Sequence, residues 1–344
     1  MTSGIIWGMT TTDFLKRDVQ TSLCETFIVA GAAAEIRTNS ALILDAAAQC
    51  FPRLPPRPSI CELRFRLWVD PGGISHGPWP VPYLRGLGHL VFAGFDSESS
   101  AMIDLKSRRI SGRFSPEVAS DQSYWKRVIF PRLLTALGPS IGVIELHCAC
   151  VSWNGRGIVL FGAPGAGKST LALALARQGW SLMSEDWTYF SRDGGAIVAW
   201  GIPSVVKLLP DAIRHFPELG TFRTTIGMDG EEAYRTEPEK DFGVSSTRHC
   251  RPEWLVFLER GDKSAFDIST MSGSEAEHIL SRDLLAQSAG VAKWQKTTIA
   301  KLVANGCWRL RYGGDAREVA SELTRVCLSG AESPAETAVT YVGS

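Results

Sequence analysis

The segment Gly162-Ala163-Pro164-Gly165-Ala166-Gly167-Lys168-Ser169 constrains this chain more than any other stretch. It matches the pattern G-x-x-x-x-G-K-[ST] in full and sits between the apolar run Ile158–Phe161 and Thr170–Gln178, which is rich in strong helix formers. A strand, a glycine loop and a helix in that order belong to α/β folds. The spacing has a chemical reason. Gly162, Gly165 and Gly167 let successive backbone N–H groups turn inward onto phosphate oxygens. The start of the helix, with Thr170 in its first turn, adds unpaired N–H groups and its dipole. Ala163, Pro164 and Ala166 complete the cradle, Lys168 reaches toward β- and γ-phosphates, and the Ser169 hydroxyl is a Mg²⁺ ligand. Gly179 stands where a C′ glycine would end the helix. A nucleoside triphosphate, ATP by expectation, and Mg²⁺ are therefore the implied ligands.

A phosphate cradle says nucleotide and leaves the reaction open. The pair Glu185-Asp186 follows the short strand Ser181–Met183, eighteen residues beyond Lys168. A strand running parallel to the first delivers its C-terminal end to the same edge of the sheet. Both carboxylates are then expected beside the γ-phosphate and its metal. One can coordinate Mg²⁺, with Ser169 and Glu185 as metal ligands, while the other takes a proton from an attacking hydroxyl. A solvated or helix-capping pair is the plainer alternative. His147 lies in the apolar stretch Val143–Val151, two strands before the loop, where it can contact phosphate or tune the base, or else serve as a satisfied core histidine. The candidate catalytic residues are Asp186, Glu185, His147 and Lys168.

Taken together, Leu146-His147, Gly157–Phe161, Gly162–Ser169, Arg177-Gln178-Gly179-Trp180 and Ser184-Glu185-Asp186-Trp187 resemble the HPr kinase/phosphorylase family and its HPr-kinase-like relatives. Leu310-Arg311-Tyr312-Gly313 is similar to a tail segment of those relatives, and the resemblance spans roughly residues 140–330. It implies an α/β, P-loop kinase domain of the HPr kinase/PEP carboxykinase type. It also implies that Asp186 accepts the proton of a substrate serine, that Glu185 is the first acid of the pair (usually Asp), and that His147 is the active-site histidine. Three features depart from the family. Thr170 replaces a common Glu, and the glycine-rich segment with a second metal-binding Glu is missing. In its place Ile202–Asp211 offers Lys207 and Asp211. The region before the kinase-like part does not read as the HPr kinase N-domain. These departures argue against HPr as acceptor and against a reverse phosphorylase activity. Divergent relatives include kinases that phosphorylate a serine of ribosomally made peptide precursors such as lasso peptides.

With 344 residues there is room for two cores. Residues 1–138 read as a smaller β-rich α+β domain suited to substrate docking, 139–330 as the P-loop domain, and 331–344 as a flexible tail. In the first part, strands are expected at Phe27–Ala30, Glu35–Arg37, Cys61–Asp70, His89–Phe95, Ala101–Asp104 and Arg109–Arg113. A helix is expected over Ser40–Cys50, N-capped by Ser40, and another over Trp125–Leu137. A zero formal net charge excludes broad electrostatic capture of nucleic acid, and no apolar run reaches ~18 residues. Neither nucleic acid nor membrane is an expected partner. Eight scattered cysteines suit reduced thiols in a cytoplasmic protein, and Met1–Thr12 lacks a signal pattern. His147-Cys148-Ala149-Cys150 lacks a second ligand pair for zinc and reads as strand. The expected function is an ATP-dependent kinase acting on a hydroxyl, a peptide or protein serine before a small molecule, and working as a homo-oligomer. The alternative is a nucleotide-binding regulatory module with little or no transfer. No Leu-Ser-Gly-Gly-Gln signature or Asn-Lys-x-Asp motif favours an ABC-type ATPase or a GTPase.

Overall fold

Alternation of apolar and polar residues builds the first of two large sheets. The computed structural model describes residues 19–55, 61–202, 205–227, 230–262, 266–282, 284 and 289–329. Met1–Thr12, the tail 331–344 and two residues within Ile202–Asp211 lie outside them. β1 (Leu23–Val29) and β2 (Ala32–Thr38) form a hairpin, and α1 (Ala41–Cys50) follows. Ser40 occupies the N-cap, but its hydroxyl makes no capping bond; its backbone N–H donates instead to Thr38 Oγ1 at 3.1 Å. Then come β3 (Arg53–Leu54), β4 (Leu63–Val69), β5 (Tyr83–Leu87), β6 (Leu90–Gly94), β7 (Ser100–Asp104) and β8 (Arg109–Phe114). The spatial order is β3-β1-β2-β4-β8-β7-β6-β5, with β2–β4 and β4–β8 parallel. On β4, Leu63, Phe65 and Leu67 point into the core as the alternation predicts, while Trp68, expected outside, is buried as well. β5 was not expected: it carries no alternation, and all five of its residues are exposed.

Short helices α2 (Pro116–Ser120) and α3 (Gln122–Tyr124) lead into the stretch expected as one helix. It forms in two parts, a π-helical turn over Trp125–Ile129 and then α4 (Phe130–Leu137). Pro131 sits at the join and offers no N–H to the preceding turn, which accounts for the changed winding there. Trp125 anchors this segment. Its ring packs 4.6 Å from Phe114 and 5.0 Å from Phe130 (centroid to centroid), and its indole N–H donates to the Val118 carbonyl at 3.0 Å.

The second sheet uses β9 (Ile144–His147), β10 (Ala149–Trp153), β11 (Arg156–Phe161), β12 (Ser181–Ser184), β13 (Trp187–Asp193) and β14 (Ala196–Trp200). After α5 (Lys168–Ala176), which falls between β11 and β12, the remaining strands are β15 (Val206–Leu208), β16 (Thr225–Ile226), β17 (Glu232–Thr236), β18 (His249–Arg260), β19 (Phe266–Met271) and β20 (Cys307–Tyr312). The helices α6 (Pro238–Phe242), α7 (Gly273–Ser281), α8 (Ala289–Val303) and α9 (Ala316–Ser329) complete a mixed α/β chain. The sheet order is β12-β10-β11-β18-β14-β13-β9, with β20 beside β18 and β19 beside β20; β15, β17 and β16 make a small separate sheet. Val143–Val151 is not a single strand. It divides at Cys148, so that β9 pairs with β13 while β10 pairs with β11 and β12.

That division changes the expected crossover. β10 is antiparallel to both β11 and β12, so β11 and β12 run the same way with β10 between them. The parallel neighbour of β11 is β18. The ends of β11 and β12 nevertheless leave the sheet on one edge. Between them α5 is apolar and buried from Leu171 to Ala176, with Leu171, Leu173 and Leu175 fully enclosed and α9 packed along it. The helix closes at Arg177, slightly earlier than expected, and Gly179 takes the left-handed φ of +99° that turns the chain into β12. Trp180 fixes that turn by donating from Nε1 to Thr324 Oγ1 on α9 at 3.0 Å. The core of the first sheet also takes in Tyr189, Trp200 and Ile202 from the second. Among the described residues no helix is long and apolar enough to cross a membrane.

Trp125→Ala empties a fully buried indole site and removes one of the two donors to the Val118 carbonyl, leaving only the Asp121 N–H. A loss of about 3–5 kcal/mol is expected, read as a lower urea midpoint by circular dichroism.

Candidate functional site

The loop after β11 depends on glycine at two positions in particular. Gly167 has φ +94°, and a Cβ there would lie 2.2 Å from Tyr312 Oη; Gly165 has φ +79°. The loop is tied down from β18 and β20. Tyr312 Oη donates to the Ala166 carbonyl at 2.8 Å, and Arg260 Nε donates to the Gly165 carbonyl at 3.3 Å while its guanidinium lies 5.1 Å from the Tyr312 ring centre. Ala163, Pro164 and Gly165 remain exposed, whereas Lys168 is buried. Its Nζ donates to the Gly162 carbonyl at 2.8 Å, spanning the loop. Burial lowers the affinity of the Lys168 amine for its proton, and the nearby carboxylates of Asp186 and Glu185 work in the opposite direction.

The acidic pair arrives at this loop as the parallel directions of β11 and β12 require. Ser169 Oγ donates to Glu185 Oε1 at 2.6 Å. Packing of the Glu185 carboxyl away from water pushes its pKa up to about 7, against the lowering effect of the Ser169 bond, with the Asp186 charge adding to the rise. Asp186 is exposed, and its Oδ1 lies 2.8 Å from His147 Nε2. The imidazole is held by sheet register: His147 ends β9 opposite Trp187, the first residue of β13, with the two rings 5.2 Å apart. All of the sequence-predicted site residues thus come together, since Gly162–Thr170, Glu185, Asp186 and His147 meet at one sheet edge. Thr170 faces the same cleft from the first turn of α5.

That cleft has a volume of about 660 Å³, within the range of small-molecule sites. Sequence reasoning missed part of its wall. Glu145, two residues before His147 and so on the same face of β9, accepts from Thr135 Oγ1 of α4 at 2.9 Å, and burial raises its pKa. The period of two in a strand was a signal for Glu145; nothing local to the sequence brings α4 alongside it. Lys207 and Asp211 also line the cleft, Lys207 paired with Glu231. Among the described residues no group of three or more His, Cys, Asp or Glu side chains stands close enough to form a metal cage, and Cys150 Sγ lies 3.7 Å from Cys250 Sγ as a free thiol. Ser169 and Glu185 present adjacent hard oxygen donors, a set that suits Mg²⁺, which takes one or two protein ligands and fills the rest of its shell with water and phosphate. Chemically, the site offers N–H donors and an ammonium for an anion, an oxygen pair for a cation, and an accessible carboxylate backed by an imidazole.

No family model and no curated protein matches the chain. Among solved structures, it is similar to the Hpr(Ser) kinase/phosphatase from Coxiella burnetii at 13% identity and a TM-score of 0.31, over 55% of this chain and 99% of that one. A likeness of that degree assigns neither fold nor chemistry to this chain.

Because the folded state holds Glu185 protonated up to about pH 7, its contribution to stability is full below the ordinary carboxylate range near 4.5. That contribution is lost as pH rises through about 7. In metal-free buffer, Glu185→Gln is expected to flatten the decline in melting temperature between those values, as read by thermal scans across pH. An unchanged profile would show that Glu185 is not held protonated.

Proposed function

We propose that this protein is an ATP-dependent kinase that transfers phosphate to a hydroxyl, a serine of a peptide or protein. The observation that carries the reading is the placement of Asp186. Its exposed carboxylate is 2.8 Å from His147 Nε2 and one residue from the Glu185–Ser169 pair at the glycine loop. A proton acceptor beside a phosphate cradle is the minimum a hydroxyl kinase needs.

The roles divide by geometry. The backbone N–H groups of the loop, other than that of Ala166, which donates to the Ala163 carbonyl, and Pro164, which has none, bind the nucleotide's phosphates together with the start of α5, and Lys168 exchanges its bond to the Gly162 carbonyl for phosphate oxygen. Ser169 and Glu185 would hold Mg²⁺. An ion held there would supply positive charge to offset that of the phosphates. Asp186 takes the proton of the acceptor hydroxyl at its carboxylate, and His147 fixes the orientation of that carboxylate. Since transfer gains mainly from positioning and charge stabilisation, preorganised groups of this kind are what the reaction requires.

Incubating the protein with ATP, Mg²⁺ and serine-containing peptides should yield a mass gain of one phosphate on the peptide. Asp186→Asn is expected to cut the transfer rate by roughly 10²–10⁴-fold while nucleotide affinity survives. Near wild-type transfer by that variant would remove Asp186 from the role of base. Lys168→Ala should weaken nucleotide binding as well as transfer, measured by equilibrium titration of labelled nucleotide. Nucleotide consumed at the same rate with and without acceptor, and no phosphate on any acceptor, would instead favour a regulatory nucleotide-binding module.

A further inference from the structure

The cleft extends well past the phosphate cradle. A line of contacts gives its direction: Ser169 to Glu185, then Asp186 to His147, then Glu145, on the same face of β9, to Thr135. The far end is walled by the helical segment 125–137 from the first part of the chain. Arg127, Arg132 and Thr135 line the cleft from this segment, with Val81 and Pro82 beside them. Arg127 and Arg132 are both exposed, and Arg132 bears electrostatically on Glu145. Two guanidinium groups thus line the cleft from the helical segment that Thr135 bonds to Glu145. Exposed guanidinium groups in such a position favour carboxylates, which they can bind in a bidentate fork.

We infer that this helix face is the acceptor-docking wall, and that it selects a serine flanked by acidic residues in an extended peptide. The inference rests on the reading of Asp186 as the group that faces the acceptor. With the serine hydroxyl at Asp186, side chains of neighbouring peptide residues fall along the cleft toward α4, since an extended chain advances about 3.3 Å per residue. Carboxylates there meet Arg127 and Arg132; lysines there are repelled. The near end of the cleft is left to the nucleotide's phosphates, which need the N–H groups and Lys168.

Three peptides of equal length with a central serine, flanked by Glu, Ala or Lys, test this in two independent ways. Binding by fluorescence anisotropy, in the presence of a non-hydrolysable ATP analogue, should rank Glu over Ala over Lys. The preference for Glu over Lys should be about tenfold and should shrink with added salt. The double variant Arg127→Glu/Arg132→Glu should reverse that ranking and leave nucleotide affinity intact. In transfer assays its effect should fall on KM for the acidic peptide rather than on kcat. Equal binding of the three peptides, or an unchanged ranking in the double variant, overturns the inference. A small hydroxy acid that displaces the Glu peptide at equal concentration also overturns it and assigns the wall to a small acceptor. Tight, charge-selective binding without phosphate transfer supports the docking wall and removes the kinase reading instead, so the two fail separately.

Discussion

The bond from Ser169 to Glu185 is the contact on which the site depends. It joins the start of α5 to the end of β12, and it can form only because β11 and β12 run in the same direction and leave the sheet at one edge. Everything that fixes those two strand ends therefore serves the site. α5 is buried from Leu171 to Ala176, Trp180 clamps the return turn to α9, and Tyr312 and Arg260 hold the loop from behind. A loop with three left-handed or otherwise glycine-restricted positions has little side-chain packing of its own, so its shape has to be imposed by neighbours.

Two charges at this edge are kept from their ordinary balance. Lys168 is a buried ammonium whose proton affinity is lowered, and Glu185 is a carboxyl whose proton affinity is raised. Both shifts come mainly from exclusion of water, and both are relieved by the ligands the geometry suits: an anion for the lysine, a cation for the carboxylate. Asp186, one residue on, stays exposed beside His147. Two adjacent acids are thereby given different environments, which is the usual way of giving like side chains different tasks.

Local pattern carried much of the fold. The strand Ala101–Asp104, the helix after Ser40 and the strand–loop–helix around Lys168 were legible because each has a clear period or a glycine placed by backbone need. Misreadings arose where long-range pairing overrode local pattern. Val143–Val151 looks like one apolar strand, yet β13 claims its first half and β11 and β12 its second. β5 forms at a sheet edge with no burial to leave a periodic trace. The π turn before Pro131 was missed because the apolar spacing there still fits a helix.

By itself the sequence determined the chemistry available: a glycine loop ending in Lys168 and Ser169, two consecutive acids after a short strand, and a histidine upstream. Backbone needs and residue types decide those, and both are local. Tertiary structure alone decided how they meet. The interposed β10, the register that sets His147 against Trp187, and the approach of α4 to Glu145 join residues far apart in the chain through sheet pairing and core packing. Such contacts are decided by which apolar faces can be buried together, a property of the whole chain that no short stretch of it records.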